Sequence, residues 1–308
     1  MSQSNALLSL LASMALTGAN VPLGKLITAE IPIGAFLVIR FAVASLLLWA
    51  LLAVELAAMP AMPPDRDRSG ATLSSLSPGQ WGAVLVLGLV GSVLFTLFLL
   101  EGVTRTSGAD AGIITATLPA LVAVLGVARG DRPGAAGIVM IALASAGVAA
   151  ITLGAPTLGT TTLASSLVGD LLVGIAVLCE ATFVLVSRPI SGVLSPVRLS
   201  LAVSLVSFAC CLPLAAPALA QAQWARIGPA TWALALWYTA TSSIICTVLW
   251  YRGVAKVATW QAGLATAAVP VAALGVSALL LGEAISPFQL AGAGLVIVAI
   301  VIGALSRA

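Results

Sequence analysis

Long stretches of this chain carry almost no charge, and that limits its fold more than any motif does. Of 308 residues only 7% are Asp, Glu, Lys or Arg, while 61% are hydrophobic and the mean hydropathy is +1.17. A water-soluble domain carries about 25% charged residues, so this composition cannot cover a water-facing surface. The chain must present apolar side chains to lipid. A helix crossing ~30 Å of hydrocarbon needs about 20 apolar residues. Runs of that kind, bounded by charges or Pro/Gly breaks, fall near 5–28, 33–57, 79–102, 109–128, 134–153, 168–188, 196–219, 229–252, 260–281 and 287–305. They are continuous rather than alternating, which excludes a β-barrel. The expected fold is an all-α integral membrane protein with ten transmembrane helices. The first run follows MSQSN, which has no basic n-region, so it is read as a retained span rather than a cleaved signal.

Two polar interruptions divide the runs. One, 59–78, holds Asp65, Arg66, Asp67 and Arg68; the other, 154–167, is uncharged, rich in Gly, Ser and Thr, and falls at the midpoint. The second reads as a joint between two five-span repeats, 1–153 and 168–308. Sliding the chain by 151 residues places Trp81 on Trp232, Leu85 on Leu236, Ser92 on Ser243 and Thr96 on Thr247. The same register pairs Gly102-Val103 with Gly253-Val254, Ala111-Gly112 with Ala262-Gly263, Thr115-Ala116 with Thr266-Ala267, and Pro119 with Pro270. These are 11 identities in 39 ungapped positions, and matched Trp, Pro and Gly pairs are not what two Ala/Leu-rich segments share by composition alone. With the N-terminus inside, nine basic residues (Arg66, Arg68, Arg129, Arg132, Arg188, Arg198, Arg252, Lys256, Arg307) collect on the cytoplasmic side. Three (Lys25, Arg105, Arg226) collect opposite, so both termini are expected to be cytoplasmic.

Five is an odd number, so the second repeat enters the membrane inverted. Inverted halves exchange conformations around a site between them, which points to a carrier working by alternating access. Nucleotide machinery is missing: GANVPLGKL (Gly18–Leu26) fails the phosphate-loop pattern in spacing and lacks its hydroxyl. With no histidine and four cysteines (Cys179, Cys210, Cys211, Cys246) all inside apolar runs, no catalytic constellation, metal site or cofactor is expected. A net charge of +3 does not suggest nucleic acid. The expected partners are the lipid bilayer, a small-molecule substrate and protons.

Several residues resemble the drug/metabolite transporter superfamily, EamA type. Gly18, Asn20, Lys25, Pro32 and Arg40 fit the family's pattern across the first two spans, although Thr17 stands where a Trp is usual. Pro270, Gly282-Glu283 and Gly292/Gly294 fit the end of the second repeat; Pro119, Gly130-Asp131 and Gly137 offer the same in the first. The resemblance covers essentially the whole chain and is specific to the superfamily rather than to a substrate. It implies ten spans in two inverted repeats and export of small metabolites, often amino acids, across a bacterial inner membrane, commonly in exchange for protons. It also implies a central cavity lined mainly by spans one, three, four, six, eight and nine. A multidrug or nucleotide-sugar carrier is the alternative within the class; a channel or a membrane-embedded enzyme are the alternatives outside it.

Individual residues carry further expectations. Glu180 sits well inside span six, where an ionised carboxylate costs at least ~2.5–3.5 kcal/mol. It is read as the coupling carboxylate, against a structural hydrogen bond or ion pair. Arg40, ~11 Å into span two, is a candidate substrate-carboxylate anchor, or a fixed counter-ion for Glu180 or a helix end, with a structural role preferred. Asn20, two residues before Pro22, marks a local break, and substrate contact and interhelical bonding are equally open there. Pro119 and Pro270 are candidate paired hinges or packing kinks. Thr115 and Thr266, one turn before each, either line the site or bond the freed carbonyls. Trp237 and Tyr238 could form an aromatic wall for substrate, although adjacent helical residues point about 100° apart, so lipid packing accounts for at least one. Trp81, Trp232, Trp250, Tyr251 and Trp260, at span ends, read as an interfacial belt. Glu101 and Arg105 read as an i,i+4 pair.

Overall fold

The computed structural model describes residues 2–58, 72–106, 108–154 and 163–305. Most of the charged connection and most of the midpoint joint therefore lie outside the described residues. Among the described residues ten helices are long and apolar enough to cross a membrane: α1 (Gln3–Thr28), α2 (Ile33–Ala57), α3 (Pro78–Val103), α4 (Asp110–Val127), α5 (Ala135–Leu153), α6 (Leu167–Ile190), α7 (Pro196–Gln221), α8 (Pro229–Val254), α9 (Thr259–Leu280) and α10 (Pro287–Ala304). Helices are what this composition allows, because in lipid every backbone N–H and C=O must be satisfied within the segment. Local sequence sets the ends. Ser2, Ser77 and Ser195 cap α1, α3 and α7, each hydroxyl accepting from a backbone N–H in the first turn, and proline opens α3, α7, α8 and α10.

Contacts between helix ends fix the two faces of the bundle. Gly253 at the end of α8 packs on the Ala6 carbonyl at the start of α1, and Gln3 donates to Gln261 near the start of α9. These ends define the N side. On the opposite, far side, Glu30 after α1 meets Gly228 before α8, Thr106 after α3 meets Asp170 in the first turn of α6, and Ser286 before α10 meets Gly154 after α5. The first repeat thus starts on the N side and the second on the far side, and the two five-helix halves are inverted.

Packing follows the same pseudo-symmetry. α2 lies along α7 and α5 along α10, each helix on its counterpart. Lipid is as apolar as a leucine side chain, so close backbone approach has to hold such pairs together. Between α5 and α10 two glycines do this: a Cβ on Gly147 would lie 2.7 Å from the Gly292 carbonyl oxygen, and one on Gly292 would lie 2.6 Å from that of Gly147. The contact of α3 with α6 is mirrored by that of α8 with α1.

Two pairs of helices are irregular in matched places. α3 and α8 each contain a π-helical segment, Leu89–Leu94 and Thr239–Cys246. Hydroxyls accompany both: Ser92 donates to the Leu87 carbonyl five residues back at 3.2 Å, and Thr247 donates to the Ser243 carbonyl at 2.8 Å. Widened turns of this type frequently sit at functional sites. α4 is interrupted at Thr117 between Gly108–Ala116 and Leu118–Val127, and α9 at Ala267 between Thr259–Thr266 and Ala268–Leu281. Pro119 and Pro270 stand just beyond these breaks, where the ring displaces the preceding turn's carbonyl.

Candidate functional site

The π-helical segment of α8 gathers polar side chains from two other helices at mid-depth. Asn20 of α1, only 2% exposed, donates from Nδ2 to Thr241 Oγ1 at 2.9 Å. Arg40 of α2 donates from Nε to Ser243 Oγ at 2.6 Å and from Nη2 to Ser242 Oγ at 3.0 Å. Its guanidinium also lies over the Phe41 and Tyr238 rings, 5.1 Å from each centroid. Ser13 donates to the Cys246 carbonyl at 2.8 Å, and Thr17 donates to the Ser13 carbonyl. A fork of donors held by two hydroxyls and two aromatic faces is an oriented cation. Among the described residues no carboxylate lies within ion-pair reach of it.

Glu180 is in the same layer. It stands thirteen residues from Leu167 in α6, while Ser242 and Ser243 stand thirteen and fourteen from Pro229 in α8. Both helices start on the far side, so at 1.5 Å per residue all three lie about 20 Å down. Glu180 is partly exposed and, among the described residues, has neither a hydrogen-bond nor an ion-pair partner. Arg40 does not serve as its counter-ion, because the guanidinium is committed to α8.

The remaining expected residues fall as follows. Thr115 and Thr266 donate to the Gly112 and Gly263 carbonyls of their own helices, at 3.1 and 2.6 Å. Of the adjacent aromatics, Tyr238 turns inward and packs edge-on against Phe36 with centroids 5.2 Å apart, whereas Trp237 is 60% exposed on the outside of the bundle. Part of the expected interfacial belt is corrected. Trp250, Tyr251 and Trp260 are buried, since the ends of α8 and the start of α9 are wrapped by α1, α4 and α6 rather than set against lipid headgroups. Trp250 Nε1 donates to Ser187 Oγ at 3.0 Å, and Phe183 packs on both Trp250 and Tyr251. Glu101 and Arg105 do form their i,i+4 ion pair.

α4 and α9 diverge along their length. They meet in their N-side halves, where a Cβ on Gly263 would come 2.8 Å from a Val122 methyl carbon and one on Gly126 would come 3.2 Å from the Thr259 methyl. Their far-side halves turn to different neighbours: that of α4 packs on α5 and α6, that of α9 on α1. The two helices therefore part toward the far side. Elsewhere on the far side, between the α1–α2 and α7–α8 connections, Glu30, Arg226, Gln221 and Gln223 line a cavity of about 350 Å³. The Gly228 N–H, and after it the Thr231 hydroxyl, hold the Glu30 carboxyl below its ordinary range.

Two features escaped the sequence reading. One is the Thr241-Ser242-Ser243 run that receives Asn20 and Arg40, although three consecutive hydroxyls inside an apolar span were a visible signal. The other is an N-side cluster of Asp131, Arg188 and Thr259, whose members are 57 and 71 residues apart in the chain and share no local pattern.

Comparison with known proteins agrees with this architecture. A solved structure described only as "Crystal structure of protein" superposes with a TM-score of 0.77 over 99% of both chains at 16% identity, which establishes the shared fold. An "Uncharacterized transporter YetK" from Bacillus subtilis (strain 168) is 31% identical over 288 residues, covering 93% of this chain and 82% of that protein. The profile of the EamA-like transporter family matches twice, at residues 4–153 and 167–304. Two matches that together span nearly the whole sequence, on a ten-helix bundle of inverted halves, make this chain a member of the EamA-like transporter family.

Proposed function

We propose that this transporter is a secondary carrier of amino acids or closely related small metabolites. It exports them across a bacterial inner membrane by alternating access, with the N side and both termini in the cytoplasm. The repeats act as units 1–153 and 168–308, and α4 and α9 rock about the breaks at Thr117 and Ala267. Arg40 is the anchor for a substrate carboxylate, with Asn20 and Tyr238 beside it, and Glu180 exchanges substrate against a proton.

One observation supports this reading above the others. The Arg40 guanidinium reaches Ser242 and Ser243, Glu180 lies level with those serines about 20 Å from the far side, and among the described residues neither charge has an ion-pair partner. Each is expensive to keep in a membrane, so each has a use. A zwitterion offers a carboxylate to one and an ammonium group to the other. The guanidinium fork suits the carboxylate because it binds both oxygens at once.

Counterflow in proteoliposomes tests the reading, with a panel of labelled amino acids, with and without a pH gradient, on wild type and Glu180→Gln. The expected result is exchange of one or more amino acids, driven by the gradient in wild type only. Gradient-driven transport that survives in Glu180→Gln removes the coupling role. A panel on which nothing moves removes the amino-acid class.

A further inference from the structure

On the N side Asp131, in the α4–α5 connection, holds three helices together. Its Oδ2 accepts from Arg188 Nη1 at 2.9 Å and from the Thr259 backbone N–H at 2.6 Å, while Arg188 Nη1 also reaches Thr259 Oγ1 at 3.2 Å. Arg188 ends α6 and Thr259 begins α9. Nearby, Arg129 Nη1 donates to the Leu185 carbonyl at 2.9 Å, binding the same connection to α6 a second time. This cluster closes the side on which α4 and α9 meet.

The repeat supplies a counterpart for each charge. Asp131 stands four residues before Ala135, the first residue of α5; Glu283 stands four before Pro287, the first of α10. Gly130 and Gly282, one residue earlier, are the only described residues with left-handed φ, +85° and +66°, so the two connections turn in the same way. Arg188 stands eight residues before Pro196, the first of α7; Lys25 stands eight before Ile33, the first of α2. Inversion places Lys25 and Glu283 together on the far side, with the same signs of charge as Arg188 and Asp131. Both are exposed, and neither side chain has a hydrogen-bond or ion-pair partner among the described residues.

We propose that Asp131–Arg188 and Glu283–Lys25 are the two symmetry-related latches of one carrier, the N-side latch closed and the far-side latch open in this structure. Closing the far-side latch draws the far halves of α4 and α9 together over the central layer as the Asp131 cluster releases. The order of events rests on the carrier reading above. The latch assignment rests on the bonds of Asp131 and on the register of the repeat.

The experiment is a spin-label distance measurement across the far side, with labels on Ile113→Cys and Leu279→Cys in a chain whose four native cysteines are replaced. Breaking the N-side latch with Arg188→Gln should raise the short-distance, far-closed population by roughly fivefold or more, the scale of an ordinary coupling energy. Lys25→Gln, at an exposed position, should lower it. The charge swap Asp131→Arg with Arg188→Asp should return the distribution toward wild type, which a simple folding defect would not do. Two populations that do not respond to any of these changes overturn the latches and leave the carrier standing. A single population in every variant, with no substrate exchange, overturns both.

Discussion

At the scale of the residue, Arg40 shows how context converts an expected structural group into a candidate for recognition. Its charge-assisted bonds go to Ser242 and Ser243, and its two stacking faces are Phe41 and Tyr238. All four are neutral, so they orient the guanidinium and leave its charge uncompensated. A lysine keeps the charge but lacks the planar fork and the stacking surface. Arg40→Lys is therefore expected to fold and to weaken substrate binding by roughly tenfold or more, which corresponds to about 1.4 kcal/mol. Arg40→Met is expected to fold as well, because it removes a costly cation from the membrane and leaves Ser243 and Ser242 without any orphaned charge. It should lose binding altogether. Substrate-induced shifts of the unfolding temperature in detergent measure both effects; a wild-type shift in Arg40→Met returns the residue to a purely structural role.

At the scale of the element, what the sequence revealed and what it hid divide along a physical line. Span positions and the matched breaks near Pro119 and Pro270 were legible, because desolvation of the backbone dictates length and proline dictates interruption. Rotation about the helix axis was not legible. A span that is apolar all round gives no face, so Trp250, Tyr251 and Trp260 read as interfacial from their places near span ends and proved buried. The π-helical segments were also hidden, since a widened turn has no sequence period of its own, although Ser92 and Ser243 had already appeared as a matched pair. Glycine shows the same limit. α10 holds Gly292 and Gly294 two residues apart, and the sequence treats them alike. In the structure a Cβ on Gly292 meets backbone at 2.6 Å, while one on Gly294 meets nothing within 4 Å. Gly294→Ala should therefore be neutral or stabilising by up to about 1 kcal/mol, the helix-propensity difference. Gly292→Ala should destabilise by about 1–3 kcal/mol through overpacking against α5. Thermal unfolding of the two variants in one detergent compares them, and equal unfolding temperatures would remove Gly292 from the α5–α10 contact.

At the scale of the whole molecule, the two repeats are alike at their helix breaks and connections and unlike in the central layer. The breaks in α4 and α9, the left-handed glycines and the charges of the latches recur in both halves. The central layer does not: counted from the starts of α2 and α7, Glu180 corresponds to Thr17, Asn20 to Phe183 and Arg40 to Val203. A symmetric frame gives two conformations of comparable energy, and an asymmetric centre gives one substrate one orientation in both. Direction then depends on how the frame sits in the membrane. Among the described residues the N side carries six basic residues near span ends (Arg129, Arg132, Arg188, Arg198, Arg252, Lys256) against three on the far side (Lys25, Arg105, Arg226), and such an excess orients a multispan protein with its basic side inward. The far side, toward which α4 and α9 part, would face the periplasm. Single cysteines at two exposed connections decide this, again with the native cysteines replaced. In intact spheroplasts an impermeant maleimide should label Glu283→Cys, and should label Gly192→Cys only after the membrane is opened. The reverse pattern would invert the carrier and turn the open side toward the cytoplasm, making this conformation the one that loads substrate for export rather than the one that releases it.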